Sequence, residues 1–280
     1  MIISASRRTD IPAFYTDWLI NRLNAGYCLV KNPFNPSQIK RVSLLREDVD
    51  GIVFWTKNAA PLLPKISELE SYPYCFQYSI TPYRSDIETS LADKKDVVIP
   101  AFLRFAAVIE SRRMIWRYDP IIITPLYNYN YHVRAFSRLC ELLAGSTEKC
   151  VISFAVMYKS IAKNLAGIGH IEPDVRDKLR LAEALLTIAK DYGITLHACC
   201  EMPELYEIGV RRVSCVDASL FAVDAPHDKN QREGCNCATS VDIGSYNSCM
   251  NGCRYCYANH SDTKVRNNYA KHNANAEFLD

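Results

Sequence analysis

No stretch of this sequence is long and apolar enough to cross a bilayer. The run Pro120-Ile-Ile-Ile-Thr-Pro125 has the length of a short buried strand. Glycine is scarce, at 10 of 280 residues, and none of it forms the loop that cradles phosphates in nucleotide-binding proteins. A surplus of one charge is missing too: the net charge of +2 predicts no strong field, so no nucleic acid or anionic membrane is required as a partner, although local basic clusters are allowed. The six histidines are scattered without the spacing of metal ligands. The start, Met-Ile-Ile-Ser-Ala-Ser-Arg-Arg, reaches charge after six residues and lacks the apolar core of a secretory signal, so the expectation is a cytoplasmic protein. With 49% apolar and 23% charged residues the composition is that of a globular protein, long enough for one large core or two small ones.

What the chain has in abundance is cysteine, twelve in all. In a reducing compartment these do not read as a disulfide framework, which leaves metal ligation, redox chemistry or burial. Cys28, Cys75, Cys140 and Cys150 sit in apolar runs and read as small core residues. The other eight fall between positions 199 and 256. Among them Cys249-x3-Cys253-x2-Cys256 can place each of three thiolates on one iron of a cubane cluster, leaving the fourth iron open to a cofactor or substrate. Gly252 permits an unusual backbone turn beside these ligands. With Cys235, Cys237 or His260 as a fourth ligand the same residues would instead complete a structural zinc site.

A second set precedes this loop. Cys199, Cys215, Cys235 and Cys237 are the preferred four of five, with Cys200 pointing away from its neighbour. They suit an auxiliary iron–sulfur cluster or a structural zinc, against the plain alternative of buried thiols.

Short β-rich runs alternate with helical patterns. Strands are expected at 1–6, 27–31, 51–56, 75–80, 114–117, 150–155, 194–199 and 240–244, and helices at 10–24, 129–144 and 173–192. Alternation of this kind predicts a parallel α/β sheet, and the number of units predicts a TIM-type (β/α) barrel. Residues 1–198 would form its body, and a cysteine-rich segment 199–280 would complete it. Polar residues gather after the strands: Arg7, Arg8 and Asp10; Lys57 and Asn58; Tyr83 and Arg84; Arg117 and Asp119; Glu201. In such a fold these ends converge on one face, which makes Arg7, Arg8, Asp10, Lys57, Arg117 and Glu201 the candidate catalytic residues. Trp55 and Trp116 read as core.

The cysteine loop resembles the signature of the radical S-adenosylmethionine enzymes, and the stretch Asn247-Ser-Cys-Met-Asn-Gly-Cys-Arg-Tyr-Cys-Tyr-Ala resembles that of spore photoproduct lyase-like proteins. Tyr255 fills the aromatic position before the third cysteine. The resemblance implies a [4Fe–4S] cluster on Cys249, Cys253 and Cys256, with S-adenosylmethionine on the open iron and Tyr255 and Gly252 beside the cofactor. It also implies hydrogen abstraction from a small-molecule or other unknown substrate by a 5′-deoxyadenosyl radical, and an electron donor such as flavodoxin or ferredoxin. The competing function is a zinc- or cluster-stabilised protein that binds an anionic ligand without chemistry. Those enzymes carry their cysteines near the N-terminus, so the order here implies a circularly permuted barrel in which strand 240–244 plays the first strand's part. Across the whole chain, Ser4-Ala-Ser-Arg-Arg-Thr-Asp-Ile-Pro-Ala13, Phe54-Trp-Thr-Lys-Asn58, Trp116-Arg-Tyr-Asp-Pro120 and Lys229-Asn-Gln-Arg-Glu233 resemble a bacterial family of unknown function noted for such C-terminal cysteines.

Overall fold

The computed structural model describes residues 1–159, 161–232 and 234–279; Ser160, Glu233 and Asp280 lie outside the described residues. Eight strands pair in parallel in one sheet: β1 (Ile2–Ala5), β4 (Gly51–Thr56), β5 (Tyr74–Ser79), β6 (Met114–Ile121), β7 (Lys149–Phe154), β8 (Thr195–Ala198), β9 (Arg211–Arg212) and β10 (Ser240–Asp242). Their order across the sheet is β10-β1-β4-β5-β6-β7-β8-β9, so the last of these strands lies beside the first. Two further strands, β2 (Tyr27–Asn32) and β3 (Asn35–Ser43), form a separate antiparallel hairpin. The strand expected at 27–31 therefore exists but belongs outside the main sheet.

Parallel pairing requires crossovers, and helices supply most of them. Helices α1 (Ile11–Phe14) and α2 (Thr16–Ala25) follow β1, and α3 (Ile99–Val108) leads into β6. Next come α4 (Tyr129–Leu143), α5 (Ala162–Gly167), α6 (Val175–Asp191) and α7 (Glu204–Glu207), and α8 (Asp262–Lys271) follows β10. Local chemistry sets their ends. Asn128 and Asp174 accept hydrogen bonds from the N–H groups of Tyr131 and Asp177 at the starts of α4 and α6, while Gly26 closes α2 in the left-handed conformation. The helix α4 buries His132, Phe136, Leu139, Cys140 and Leu143, a stripe at three- and four-residue spacing facing the sheet.

Strand alternation divides the core in two. Ile52 and Phe54 of β4, Phe76 and Tyr78 of β5, and Trp116 and Tyr118 of β6 pack under the helices. Their neighbours Val53, Cys75 and Ile115 face the other way, joined by Ile2 and Val151. That second face is covered by residues 213–239, the connection from β9 to β10, through Cys215, Val216, Phe221, Cys235, Cys237 and Ala238. Phe221 lies so close to the sheet that a Cβ on Gly51 would come within 2.3 Å of its ring. The sequence predicts a closed barrel; among the described residues no pairing joins β9 to β10, and the sheet has two edges. The connection occupies the face that closing strands would otherwise have to fill. Cys28, Cys75, Cys140 and Cys150 are fully buried, as their apolar surroundings predict, and Trp116 is core. No helix among the described residues is long and apolar enough to cross a membrane.

Candidate metal centres around one cavity

The C-terminal ends of parallel strands lie along one edge of a sheet, where α/β proteins place their ligands. Here they surround a cavity of about 440 Å³. Arg7, Arg8 and Asp10 line it after β1, Trp55 and Lys57 at the end of β4, Arg117 and Asp119 in β6, and Cys199 and Cys200 after β8. The loop after β10 brings Cys249, Cys253, Tyr255 and Cys256 to the same space, and the covering segment brings Cys215, Arg232, Cys235 and Cys237. Both cysteine sets thus share one cavity with all but one of the strand-end candidates.

The cysteine loop is held on three sides. Asp242 at the end of β10 accepts hydrogen bonds from Ser4 Oγ (3.0 Å), Ser6 Oγ (2.7 Å) and the Arg7 N–H (2.8 Å), tying its own strand to β1. Ser248 O accepts a bond from Tyr15 Oη at 2.6 Å, and Cys249 O one from Asn259 Nδ2 at 2.7 Å. Residues 87–90 run beside the loop: Ser90 N–H donates to Asn251 O at 3.1 Å, and Arg254 N–H to Ile87 O at 3.0 Å. Gly252 meets the expectation placed on it twice over. Its φ is +65°, and a Cβ there would sit 2.2 Å from Thr89 Oγ1. Burial pushes the thiol of Cys249 up to about 12, raises that of Cys256, and raises Cys253 well above the usual range although Lys57 opposes the shift. Three half-buried neutral thiols become ligands once a cation displaces their protons, so the donor chemistry fits a thiolate-bound metal group.

Asp10 and Glu88 organise the charges around this loop. Asp10 accepts from the N–H groups of Lys57 (2.7 Å) and Ala13 (3.1 Å) and from Asn251 Nδ2 (3.0 Å). Burial raises its pKa against these bonds. Lys57 Nζ lies 2.8 Å from Glu88 Oε1. Glu88 also takes Lys94 at 2.5 Å and a short hydrogen bond from Tyr255 Oη. Burial alone would raise the Glu88 carboxyl, but the two lysines hold it down at about 2. Lys57 therefore has a carboxylate partner and, through the Glu88–Tyr255 bond, a share in fixing the aromatic position of the cysteine loop.

Across the cavity, Arg117 donates from Nε to Asp119 at 3.1 Å, and from Nη1 to Gln77 Oε1 at 3.1 Å and Cys215 Sγ at 3.2 Å. Trp55 is not the core residue its sequence context suggests. It lines the cavity, with the Arg7 guanidinium 4.9 Å and the Arg117 guanidinium 5.4 Å from its ring. Arg8 lies 5.4 Å from the ring of Tyr246. Among the described residues neither Arg7 nor Arg8 forms an ion pair. Glu201 departs from expectation in placement. It accepts the Phe154 N–H at 3.1 Å and is absent from the described cavity wall, because that backbone bond turns its carboxyl toward β7. Burial pushes its pKa up to about 7.

All twelve cysteines are free thiols. In the second set, the sulfur atoms of Cys199, Cys235 and Cys237 lie within 4.8 Å of one another, and all three residues are buried. Such a group can hold a metal ion or an iron–sulfur cluster. Cys215 lies beside this trio, its N–H 3.2 Å from Cys237 Sγ, although its own sulfur is not among the three that lie within 4.8 Å of one another. No local pattern marks Glu88, Lys94 or Asp242 as parts of the site. Only Asp242 carried a usable hint, its place at the end of the strand that feeds the cysteine loop.

A protein family described as "Domain of unknown function (DUF1848)" matches residues 2–258. The chain belongs to this family. The DUF1848 match takes in β1 through β10 and every cysteine of both sets. No curated protein and no solved structure matches the chain.

Proposed function

We propose that this DUF1848 chain is an iron–sulfur enzyme of the radical S-adenosylmethionine type, working in a reducing, cytoplasmic setting. The observation that carries the reading is convergence: Cys249, Cys253 and Cys256 line the same cavity as Arg7, Lys57 and Arg117, although they lie far apart in the sequence. Parallel pairing of β10 with β1 supports the permuted order, with β10 as the first strand of an open barrel whose body is residues 1–198 and whose remainder is 199–280.

Cys249, Cys253 and Cys256 would hold a [4Fe–4S] cluster. Bound there, the cluster would supply one-electron reduction of S-adenosylmethionine, with the electron coming from a flavodoxin- or ferredoxin-class donor, the chemistry that would release methionine and allow hydrogen abstraction from the substrate. The protein's own groups position and enclose. Asp10 fixes Lys57 and Asn251 from one carboxylate, and Glu88 fixes Lys57 and Tyr255 from another. Gly252 admits the turn between the first two ligands. Arg7 and Arg117, both near the ring of Trp55, offer guanidinium groups to an anionic part of cofactor or substrate.

A second reading, metal-stabilised binding of an anionic ligand without chemistry, is favoured by one feature, the guanidinium of Arg7 on the cavity wall, which among the described residues forms no ion pair. Anaerobic reconstitution with iron and sulfide separates the two. A brown protein that releases 5′-deoxyadenosine from S-adenosylmethionine on reduction, and loses that activity in Cys253→Ala, is the expected result. A colourless protein with no such product refutes the enzyme.

A further inference from the structure

Among its described residues the connection 213–239 has little regular structure of its own. It holds one four-residue 3-10 turn, Ala218–Phe221, and isolated bonds such as Ala238 N–H to Val216 O at 2.9 Å. Yet it covers a whole face of the sheet and forms a wall of the cavity. A segment so poor in cooperative hydrogen bonding needs another fastening. Cys215, Cys235 and Cys237 stand at its two ends and meet Cys199 at the end of β8.

The surroundings of these sulfurs suit thiolates. The N–H groups of Cys215 and Val216 point at Cys237 Sγ at 3.2 and 3.4 Å, and Cys237 N–H points at Cys235 Sγ at 3.5 Å. Arg117 Nη1 donates to Cys215 Sγ at 3.2 Å, and the charge of Arg232 acts on Cys199. Donors of this kind orient and tune thiolate ligands around a metal. The spacing then selects the group. Four thiolates at about 2.3 Å from one zinc lie about 3.8 Å apart, whereas a cubane gives each cysteine its own iron and spreads them wider. Cys199, Cys235 and Cys237 meet the compact requirement, within 4.8 Å, while the sulfur of Cys215 stands outside that trio and would have to close on it to complete the site; among the described residues Cys249, Cys253 and Cys256 do not form such a group.

We propose that Cys199, Cys215, Cys235 and Cys237 bind a single zinc ion, closed to substrate, that fastens the 213–239 connection across the sheet. Cys200 is not a ligand. It follows Cys199 with a left-handed φ of 55° and its sulfur 3.6 Å from Cys199 Sγ, facing the cavity as a spare thiol. Arg117, itself paired with Asp119, donates to the Cys215 sulfur and so stabilises that sulfur as a thiolate ligand. This centre stands whether or not the loop after β10 does radical chemistry.

The test uses the full chain carrying Cys249→Ala, Cys253→Ala and Cys256→Ala, which removes the first centre. Purified from medium holding both zinc and iron, it should contain one zinc per chain and no acid-labile sulfide. Adding Cys237→Ser or Cys215→Ser should abolish that zinc, while adding Cys200→Ser should leave it. Cobalt(II) exchanged into the triple variant should give the intense visible bands of a tetrahedral four-thiolate site, a readout that survives if a fourth substitution prevents folding. Chelation should open residues 213–239 to proteolysis before the rest of the chain. Iron with stoichiometric sulfide in the triple variant overturns the proposal, and so does metal retained by Cys215→Ser but lost by Cys200→Ser. A colourless first centre in the unaltered chain, with the zinc present, refutes the radical reading alone.

Discussion

Replacing Gly252 by alanine tests how the cysteine loop is built. Two separable penalties follow from the structure. An L-residue held at φ +65° carries left-handed strain of about 1–2 kcal/mol. The new Cβ would also lie 2.2 Å from Thr89 Oγ1, so that hydroxyl must swing away and give up its 3.0 Å bond to Gly252 O. A bond of that kind is worth about 1 kcal/mol net. Gly252→Ala should therefore cost about 2–3 kcal/mol in anaerobic denaturant titrations, with the slope unchanged. In a Thr89→Ala background the hydroxyl is already gone, so the same substitution should cost about 1 kcal/mol less, the strain and the 3.1 Å approach to Ser90 Oγ remaining. Bound iron should fall in Gly252→Ala, because the turn lies between Cys249 and Cys253. A Gly252→Ala protein as stable as its parent would refute the strain argument, and an equal cost with and without Thr89 would refute the steric one.

Three other outcomes follow from the packing and the charges. Glu88→Ala strands the Lys57 and Lys94 cations and removes the acceptor of Tyr255 Oη. A loss of about 3–5 kcal/mol, read by denaturation, is expected for one partner taken from a buried pair. Gly51→Ala drives a methyl into the Phe221 ring, with a Cβ 2.3 Å from Cδ1. It should cost about 1–3 kcal/mol as an overpacked site, and much less beside Phe221→Ala; an unchanged cost would mean that the connection does not press on the sheet. His132 is buried between Tyr118 Oη at 2.8 Å and Ile122 O at 3.1 Å, and burial depresses its pKa to about 4. The unfolded chain then takes up the proton first as pH falls below the ordinary histidine value, so stability is lost from there down to about 4. From pH 7 to 5 the loss from this residue should be about 2 kcal/mol, and denaturation midpoints of His132→Gln should show a correspondingly flatter pH slope.

Much of the site was readable because its signals are local. A parallel sheet sends every strand end to one edge, so Arg7, Lys57 and Arg117 could be assigned to one cavity from the positions of their strands alone. The spacing of Cys249, Cys253 and Cys256 is confined to a single loop, and helices α4 and α6 begin and end within a turn or so of where their periodicity places them. What escaped depends on contacts between distant segments. Glu88 draws partners from 57, 94 and 255, and no window around it shows a pattern. Trp55 looks like core because its strand is apolar, and only the placement of two arginines around it shows a cavity wall. The open sheet was invisible for the same reason. Counting strands predicts a barrel, but whether the ends meet depends on where residues 213–239 pack. The partner β3 of the hairpin, polar and exposed along most of its length, lacks the apolar alternation that marks a strand.

The strand order also has a bearing on how the chain comes to be folded. Synthesis proceeds from the N-terminus, so β1 leaves the ribosome early, while the residue that locks it to its outer neighbour, Asp242, lies 238 positions after Ser4. Until then β1 has one free edge, the kind of unpaired strand that invites pairing with other chains. Loop closure over so long a span is slow to be rewarded. The cysteine loop cannot find Arg7 or Lys57 before that closure, so a nascent chain holds a nearly complete sheet but no assembled cavity. Assembly of the cavity is in this way deferred to the last pairing of the sheet, and until then the edge of β1 and the thiols of both cysteine sets are exposed together.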